Sequence, residues 1–542
     1  MVRRYAKMVR RYAKMADPFT RRQFLNTVGT AGGSAAVYQM SMALGLLPGT
    51  AVAVPLANVE TLGKSERKVL ILGAGIAGLV CAYELERAGY DVTILEASHR
   101  IGGRNLTIRG GDFVDEMGHP QTCQFDRHPN LYFNAGPARI PSHHHHLLYY
   151  CRTLGVELEM FVNDNKHAYV HDPRAFGGKP IKNREYVTDA RGFMTELLAK
   201  AINKPDFEKP FSSEDTERVL EFLRSYGDLS PANNYEGSLR AGYKSNGMVI
   251  PGELKTPHEF TELLDSSFWR LRMHFTEGED QCSPLMQAVG GMDNIVKALV
   301  RNIASRILTN AQVKRITLGE TGVDVVYQHK GRHEKIRSDY CLNSIPKHLM
   351  AGIDNNLPKD YTTALASIGR GKLFKMGIQM RERFWEKENI YGGITWTEQN
   401  IEQLWYPSHG IHSEKGVMLG AYTFDAENSE FFARMTPEQR FEEVLKQGEK
   451  IHPDYRRYAQ SAVSVPWHRM NHIMGCTAVW TPETRERWFK RLQQPEGRHY
   501  MIGDQMSFHP GWQEGAMSSA HWTLAHLNNR VRTELSGAVA NA

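Results

Sequence analysis

Hydrophobic and polar positions alternate with two different periods along this chain, and the switches between them outline its elements. An apolar run of β type, Val69-Leu70-Ile71-Leu72, breaks at glycines. A helix-like stretch, Leu79–Ala88, and a second apolar run ending at Glu96 follow it. This strand–helix–strand rhythm predicts a βαβ unit with parallel strands. Farther on, apolar residues recur at helical spacing in Phe193–Ala201, Thr216–Tyr226 and His258–Phe275, with polar and proline-containing breaks at 231–234 and 246–247. His143–Leu154 also reads as a helix, and Gly290–Ile295 opens another. Period-two alternation predicts strands over Gln312–Leu318 and Gly322–Gln328. Cys341–Ile345 reads as a buried strand, and Phe374–Met380 and Val417–Phe424 are further strand candidates. Thr436–Ile451 reads as an amphipathic helix. Tyr500–Asp504 reads as a return to the first sheet, followed by a last helix from Gly511 to about Glu534.

The break between the first strand and helix carries chemistry. It reads Gly73-Ala-Gly75-Ile-Ala-Gly78. The first glycine permits a tight turn, the second a close backbone approach to a pyrophosphate, and the third close packing of helix on strand. Phosphates then sit on the N–H groups of the helix start. Glu96 is placed to accept hydrogen bonds from a ribose. Gly102-Gly103-Arg104 trails the second strand and narrows the dinucleotide to FAD.

Composition changes this picture little. The 542 residues suffice for two or three domains, with 41% apolar and 23% charged residues as in ordinary soluble proteins. The net charge of +6 is partly concentrated in the first 22 residues, and no basic stripe points to nucleic acid. The six cysteines are scattered without CxxC spacing, and Cys81 reads as a small core residue. At the N-terminus, Met1–Lys7 and Met8–Lys14 are identical heptads and are set aside from fold reasoning. Thr20-Arg21-Arg22-Gln23-Phe24-Leu25, the apolar stretch Val28–Leu47 and Ala51-Val52-Ala53 form a twin-arginine-type export signal with a small-residue cleavage site. This implies the twin-arginine translocation machinery as a partner and a periplasmic or secreted protein. Glycines and Pro48 interrupt the apolar stretch, which argues against a stable membrane span.

The βαβ unit with its trailing Gly-Gly-Arg resembles the amine-oxidase family of flavoenzymes, and the element order resembles it from about Lys68 to Arg532. The expected fold is α/β. A discontinuous Rossmann-like FAD domain of the GR2 type covers 65–106, 286–348 and 495–534. A mixed-sheet substrate domain covers 107–190 and 349–494, and a helical insertion covers 191–285. Residues 1–53 form the leader. The resemblance assigns cofactor contacts to Gly73, Gly75, Ala77, Gly78, Glu96, Ala97, Gly103, Arg104, Gly136, Pro137, Ala138, Arg139, Val313, Gly503, Asp504, Gly511 and Trp512. Arg104 would back the phosphates and Val313 would meet the adenine through its backbone. No cysteine lies in Gly503–Gly515, where covalently flavinylated members attach the group, so FAD is expected to be non-covalent.

Within the family, Gly136-Pro-Ala-Arg139-Ile-Pro141 resembles the GPxRxP segment of L-amino-acid oxidases, bacterial members with twin-arginine signals among them. Guanidinium donates two parallel hydrogen bonds to a carboxylate and fixes its orientation. The resemblance gives Tyr422 a share of that carboxylate and makes Trp512 one wall of an aromatic cage. The other wall falls near Cys476 or Thr477, neither of them aromatic. Phe424 and Thr477 would line the side-chain pocket. Lys375, in an apolar strand, would hold a water near flavin N5, with Lys372 as a competing register. Side-chain choice would rest on Phe268–Cys282; Asp265, Glu277, Glu279 and Asp280 either favour basic side chains or form a solvated face. His143–His146, taken as one helical run, would point around the axis and could not converge on an ion, so no metal is expected.

The implied reaction moves hydride from an amino acid to flavin N5, with O2 as oxidant and a 2-oxo acid, ammonia and hydrogen peroxide as products, in a homo-oligomer. An amino-acid 2-monooxygenase shares the same arginine. An amine or polyamine oxidase is disfavoured by Arg139, and a non-catalytic flavin-fold partner by the joint presence of Lys375, Arg139 and Trp512.

Overall fold

Strand Lys68–Leu72 is buried on both faces apart from its first residue, which is what an unbroken apolar run dictates in a parallel sheet covered by helices. In a computed structural model describing residues 56, 57, 59, 67–202, 212–245, 247–270 and 272–540, with side chains placed as far as 536, it is the middle of five strands. The order is Arg306–Leu308, Asp91–Leu95, Lys68–Leu72, Tyr340–Asn343, His499–Met501, and every pairing is parallel. Leu70 lies opposite Thr93 on one side and Cys341 on the other. The export-signal residues and the heptad repeat lie outside the described residues. No helix among the described residues is long and apolar enough to cross a membrane.

The chain divides into two compact units. The first takes the described residues within Met1–Ala97, Ser305–Arg370 and Thr477–Ala542. Beside the parallel sheet it holds a four-stranded sheet ordered Arg332–Ser338, Val323–His329, Gln312–Leu318, Asp354–Asn355. The helix Ile76–Arg87 and the closing helix Gln513–Ala540 belong to it. The latter is tied to the sheet by Glu534, which accepts hydrogen bonds from Arg67 at 2.8 Å and from the Tyr340 hydroxyl at 2.6 Å, with Arg498 at 3.0 Å. Burial pushes the Glu534 carboxyl up, but Tyr340, Arg67 and Arg530 outweigh it and bring it down to about 2.

The second unit is Ser98–Ala304 with Gly371–Cys476. Its main sheet has seven strands ordered Ile181–Lys182, Tyr169–His171, Ile394–Thr397, Gln403–Trp405, Gly416–Thr423, Phe374–Met380, Ala459–Pro466. It is mixed: Tyr169–His171 and Ile394–Thr397 run parallel and the other neighbours antiparallel. Under this sheet Arg440 and Glu116 form a two-pronged ion pair at 2.6 and 2.7 Å with both side chains wholly buried, and Ser464 Oγ accepts a further bond from the guanidinium. A buried pair with these extra partners is a geometry that offsets the desolvation of two charges. A three-stranded sheet pairs Leu285–Ala288 with Ile140–Pro141 and with Leu158–Met160. Helices Asn183–Ala201 and Ser213–Gly227 pack through Ala199, Ile202, Leu220 and Leu223.

Several elements depart from the sequence pattern. The helix expected over His258–Phe275 shrinks to Phe260–Asp265 with short 3-10 turns at Ser267–Trp269 and Phe275–Glu277. The helix expected from His143 begins only at His145. Strand Arg332–Ser338 had no apolar alternation to announce it: it is a charged edge strand, exposed over most of its length, and such edges resist pairing with other chains.

Candidate active site

In the first unit the site is built from main chain. Gly73 has φ +102°, and a Cβ there would stand 2.3 Å from Ser344 Oγ. A Cβ on Gly78 would stand 2.1 Å from the Gly73 carbonyl oxygen, so helix and turn touch through backbone alone. Gly75 differs: it is the N-cap of the helix, and a Cβ on it would meet nothing within 4 Å. The helix start carries no side-chain cap and no acidic residue in its first turn. Open space over uncapped N–H groups is the environment that a diphosphate requires. Glu96 is buried and accepts the Ala74 N–H at 2.7 Å, which orients its carboxylate at the end of the second strand. Ala77 is buried in the helix, Val313 lies near the start of strand Gln312–Leu318, and Ala97 ends the segment. At the far end of the chain Gly503 (φ +109°) donates to Ser519 Oγ at 3.0 Å, and buried Asp504 accepts the Gly511 N–H at 2.6 Å. Thr477 lies beside Gly511, where a Cβ would be 3.4 Å from its Oγ1. Trp512, half-buried, follows. The donor set fits a dinucleotide.

The second unit supplies side chains. Arg139 stands just before Ile140, whose strand pairs with Leu285–Ala288. It is 7% exposed, and its guanidinium lies 4.9 Å from the Trp405 ring centre and 5.8 Å from Phe275. Its Nη2 donates to the amide oxygen of Gln281. Burial lowers its pKa to about 10, with Tyr422 and Asp280 drawing it back up, so it is a cation at neutral pH. Tyr422 packs edge-on against Phe424 at 4.7 Å and tilts over Trp405 at 5.2 Å. Phe424 is 42% exposed and approaches Phe275 at 6.1 Å.

Lys375 and Tyr422 are direct partners across adjacent antiparallel strands, and so share one face of the sheet. The Lys375 ammonium lies 4.4 Å from the Tyr422 ring centre and donates to the Gly136 carbonyl at 2.6 Å. Burial brings its pKa down to about 7; Cys476 opposes this and Arg139 adds to it. Lys372, by contrast, is at the surface in an ion pair with Glu430 at 2.7 Å. The lysine inside the apolar strand is therefore Lys375. Gly136 is fixed by close approach: a Cβ there would stand 2.0 Å from the Arg104 carbonyl. Arg104 Nη1 in turn donates to the Cys476 carbonyl at 2.5 Å. Pro137 and Ala138 continue the segment half-buried, and Gly103 has φ +58°.

Of the expected residues, Gly73–Ala97, Val313, Thr477 and Gly503–Trp512 thus fall in the first unit. Gly103, Arg104, Gly136–Arg139, Lys375, Tyr422 and Phe424 fall in the second. The surroundings of Arg139 contain two residues with no local signal: Trp405, and Gln281 at the end of the segment already expected to govern side-chain choice. Of the four acidic candidates there, Asp265, Glu277 and Glu279 are exposed, whereas Asp280 pairs with His143 and His144 at 3.0 and 3.1 Å. Two of the four histidines thus meet at one carboxylate: they precede the helix, and the backbone of His144 is non-helical (φ −78°, ψ 76°).

Known proteins resemble this chain over most of its length. An L-amino-acid oxidase of Pseudechis australis is 27% identical over 489 residues, which cover 85% of this chain and 87% of that protein. A flavin-dependent L-tryptophan oxidase of Lentzea aerocolonigenes is 27% identical over 489 residues, covering 85% and 97%. A solved cyclohexylamine oxidase from Brevibacterium oxydans IH-35A superposes with a TM-score of 0.57 at 17% identity, covering 86% of this chain and all of that one, a likeness of fold. The model of the flavin containing amine oxidoreductases matches residues 76–522, and the chain belongs to that family.

Proposed function

We propose that the protein is an FAD-dependent L-amino-acid oxidase. The observation that carries this reading is the buried guanidinium of Arg139, walled by Trp405 and Phe275 and held through Nη2 by a neutral amide. A desolvated cation of this kind attracts an anion strongly, and a planar fork selects a carboxylate over a point charge. A simple amine offers no carboxylate to it. Relatives named as L-amino-acid and L-tryptophan oxidases support the same substrate class.

Arg139 holds the α-carboxylate, and the Tyr422 hydroxyl shares it. Trp405, Phe275 and Phe424 keep water away from the pair. Lys375, whose ammonium is brought down to about 7 by burial, accepts a proton or holds a water through its Nζ while anchoring the Gly136 carbonyl. In the first unit Gly73, Gly75 and Gly78 give the diphosphate its backbone cradle, Glu96 takes the ribose, and Trp512 keeps its role as an aromatic wall, with Thr477 beside it. Non-covalently bound FAD, held by these residues, would supply the acceptor for the Cα hydride with O2 as the final oxidant and hydrogen peroxide as its product; the amine gives up a proton, and the resulting imine hydrolyses to a 2-oxo acid and ammonia. Export by the twin-arginine route, a homo-oligomeric state and the three-domain division belong to the same proposal; replacing Arg21 and Arg22 by lysine is expected to leave active enzyme in the cytoplasm.

The test is anaerobic bleaching of the flavin by a panel of L-amino acids, their D-forms and the matching decarboxylated amines. Bleaching by L-amino acids alone is the expected result. Bleaching by the amines would make Arg139 structural and the protein an amine oxidase.

A further inference from the structure

The meeting of His143, His144 and Asp280 has no part in the reaction above. His143 Nε2 and His144 Nε2 both bond the same oxygen of Asp280, at 3.0 and 3.1 Å. The ligand atoms of all three side chains lie within 4.8 Å of one another. The two rings meet edge to face with centres 4.9 Å apart, which lets adjacent residues aim at one point. The carboxylate comes from a segment more than 130 residues away, so the group is a product of the tertiary fold rather than of the histidine run. His144 is buried, while His143 and Asp280 each keep about a quarter of their side-chain surface, which leaves a route for an ion.

We propose that His143, His144 and Asp280 form a binding site for a divalent cation of the zinc type, with two imidazole nitrogens, one carboxylate oxygen and a fourth position open to water. Zinc takes such a mixed nitrogen and oxygen set tetrahedrally at about 2.0–2.2 Å, which places neighbouring donors about 3.4 Å apart. The present nitrogen–oxygen separations need to widen by only a few tenths of an ångström. Both rings would coordinate through Nε2 and keep their proton on Nδ1. A hard cation such as magnesium would be rejected, since it demands oxygen ligands in octahedral array. The site adjoins Gln281, the partner of Arg139, so an ion bound there would fix the segment that holds the guanidinium.

Isothermal titration of the chelator-treated, purified full chain with zinc chloride tests this without reference to activity. One equivalent is expected to bind. Asp280→Asn and His143→Ala, both at half-buried positions, are expected to weaken binding at least tenfold, with the circular dichroism spectrum showing each variant folded. His145→Ala, on the exposed side of the run, is expected to bind as the parent does. Absence of stoichiometric binding would overturn the proposal and leave the three residues as a hydrogen-bonded latch. Binding indifferent to Asp280→Asn would overturn it equally, the metal then being held by the run of histidines alone.

Discussion

The nucleotide-binding first unit and the second unit, which holds Arg139, solve recognition in opposite ways. In the first, the decisive residues have no side chain: Gly73, Gly75 and Gly78 lie within six positions and work by leaving space. In the second, Arg139, Gln281, Lys375, Trp405 and Tyr422 come from segments spread over nearly 300 residues and work by filling it. A diphosphate needs only N–H groups and clearance, which one turn supplies. A small zwitterion needs charge, hydrogen bonds and apolar walls on several sides, which only a tertiary fold can bring together.

Adding one methyl group to the first unit breaks the comparison most sharply. Gly78→Ala forces a Cβ to within 2.1 Å of a carbonyl oxygen and is expected to destabilise the protein by several kcal/mol, since the clash is with backbone. Gly75→Ala meets nothing and is expected to leave the apoprotein's melting temperature within a few degrees of the parent, yet to empty it of flavin. Melting curves together with flavin-to-protein absorbance ratios check both. Equal melting temperatures for the two variants would show that the third glycine is not a packing residue.

For the second unit the largest effect is expected at the guanidinium. Arg139→Ala should lower kcat/KM for L-amino acids by about 100- to 1,000-fold, on the order of 3–4 kcal/mol, as for loss of a buried charge partner. The apparent rate with decarboxylated amines should change little. Lys375→Met is expected to cost less, about 10- to 100-fold. Its signature is in the pH profile: Lys375 titrates near 7, so parental activity should rise as pH increases through 7 and the variant should lack that limb. From pH 7 to the usual lysine value near 10.4 the unfolded chain binds the proton and the folded chain does not, so the parent gains stability with rising pH there and the methionine variant does not. A variant profile with an unchanged limb would remove Lys375 from the reaction.

Glu534→Gln should have the smallest effect and concerns structure alone. The Glu534 carboxyl is held near 2, below its unfolded value, so its contribution is present above pH about 4.3 and disappears as pH falls towards 2. Acid titration followed by circular dichroism should show a shallower loss of stability in the glutamine variant over that window.

The same contrast explains what was legible. The βαβ unit was readable because its signals are local: strand, glycines, helix and acid within thirty residues. Phe374–Met380 was likewise read with its bounds intact, because Phe374, Met376, Ile378 and Met380 recur at the period of two that marks a strand, even though Lys375 and Gln379 on the other face are buried as well. The expected helix at His258–Phe275 failed because its apolar residues serve separate short turns, with Leu263 and Phe268 entering the core and Leu264 and Trp269 left exposed. Trp405 carried no signal, and Gln281 only that of lying within Phe268–Cys282, since nothing near either in the chain points to Arg139. The histidine run misled for a local reason: one non-helical residue, His144, turns a helical fan into a convergent pair.

The closing helix carries a consequence for how the molecule is made. Arg67 bonds Glu534 across 467 positions, and the edge strand of the nucleotide sheet, His499–Met501, likewise comes from far along the chain. While the ribosome is still at work, the first strand has its glycine turn but lacks the outer strand and the helix that complete its sheet. Long-range closure of this kind is slow and leaves apolar edges waiting. Completion of this unit therefore waits on segments up to 467 positions beyond Arg67, and deleting His499–Met501 together with the helix after it would remove an edge strand and a helix from a sheet whose middle strand lies at Lys68–Leu72.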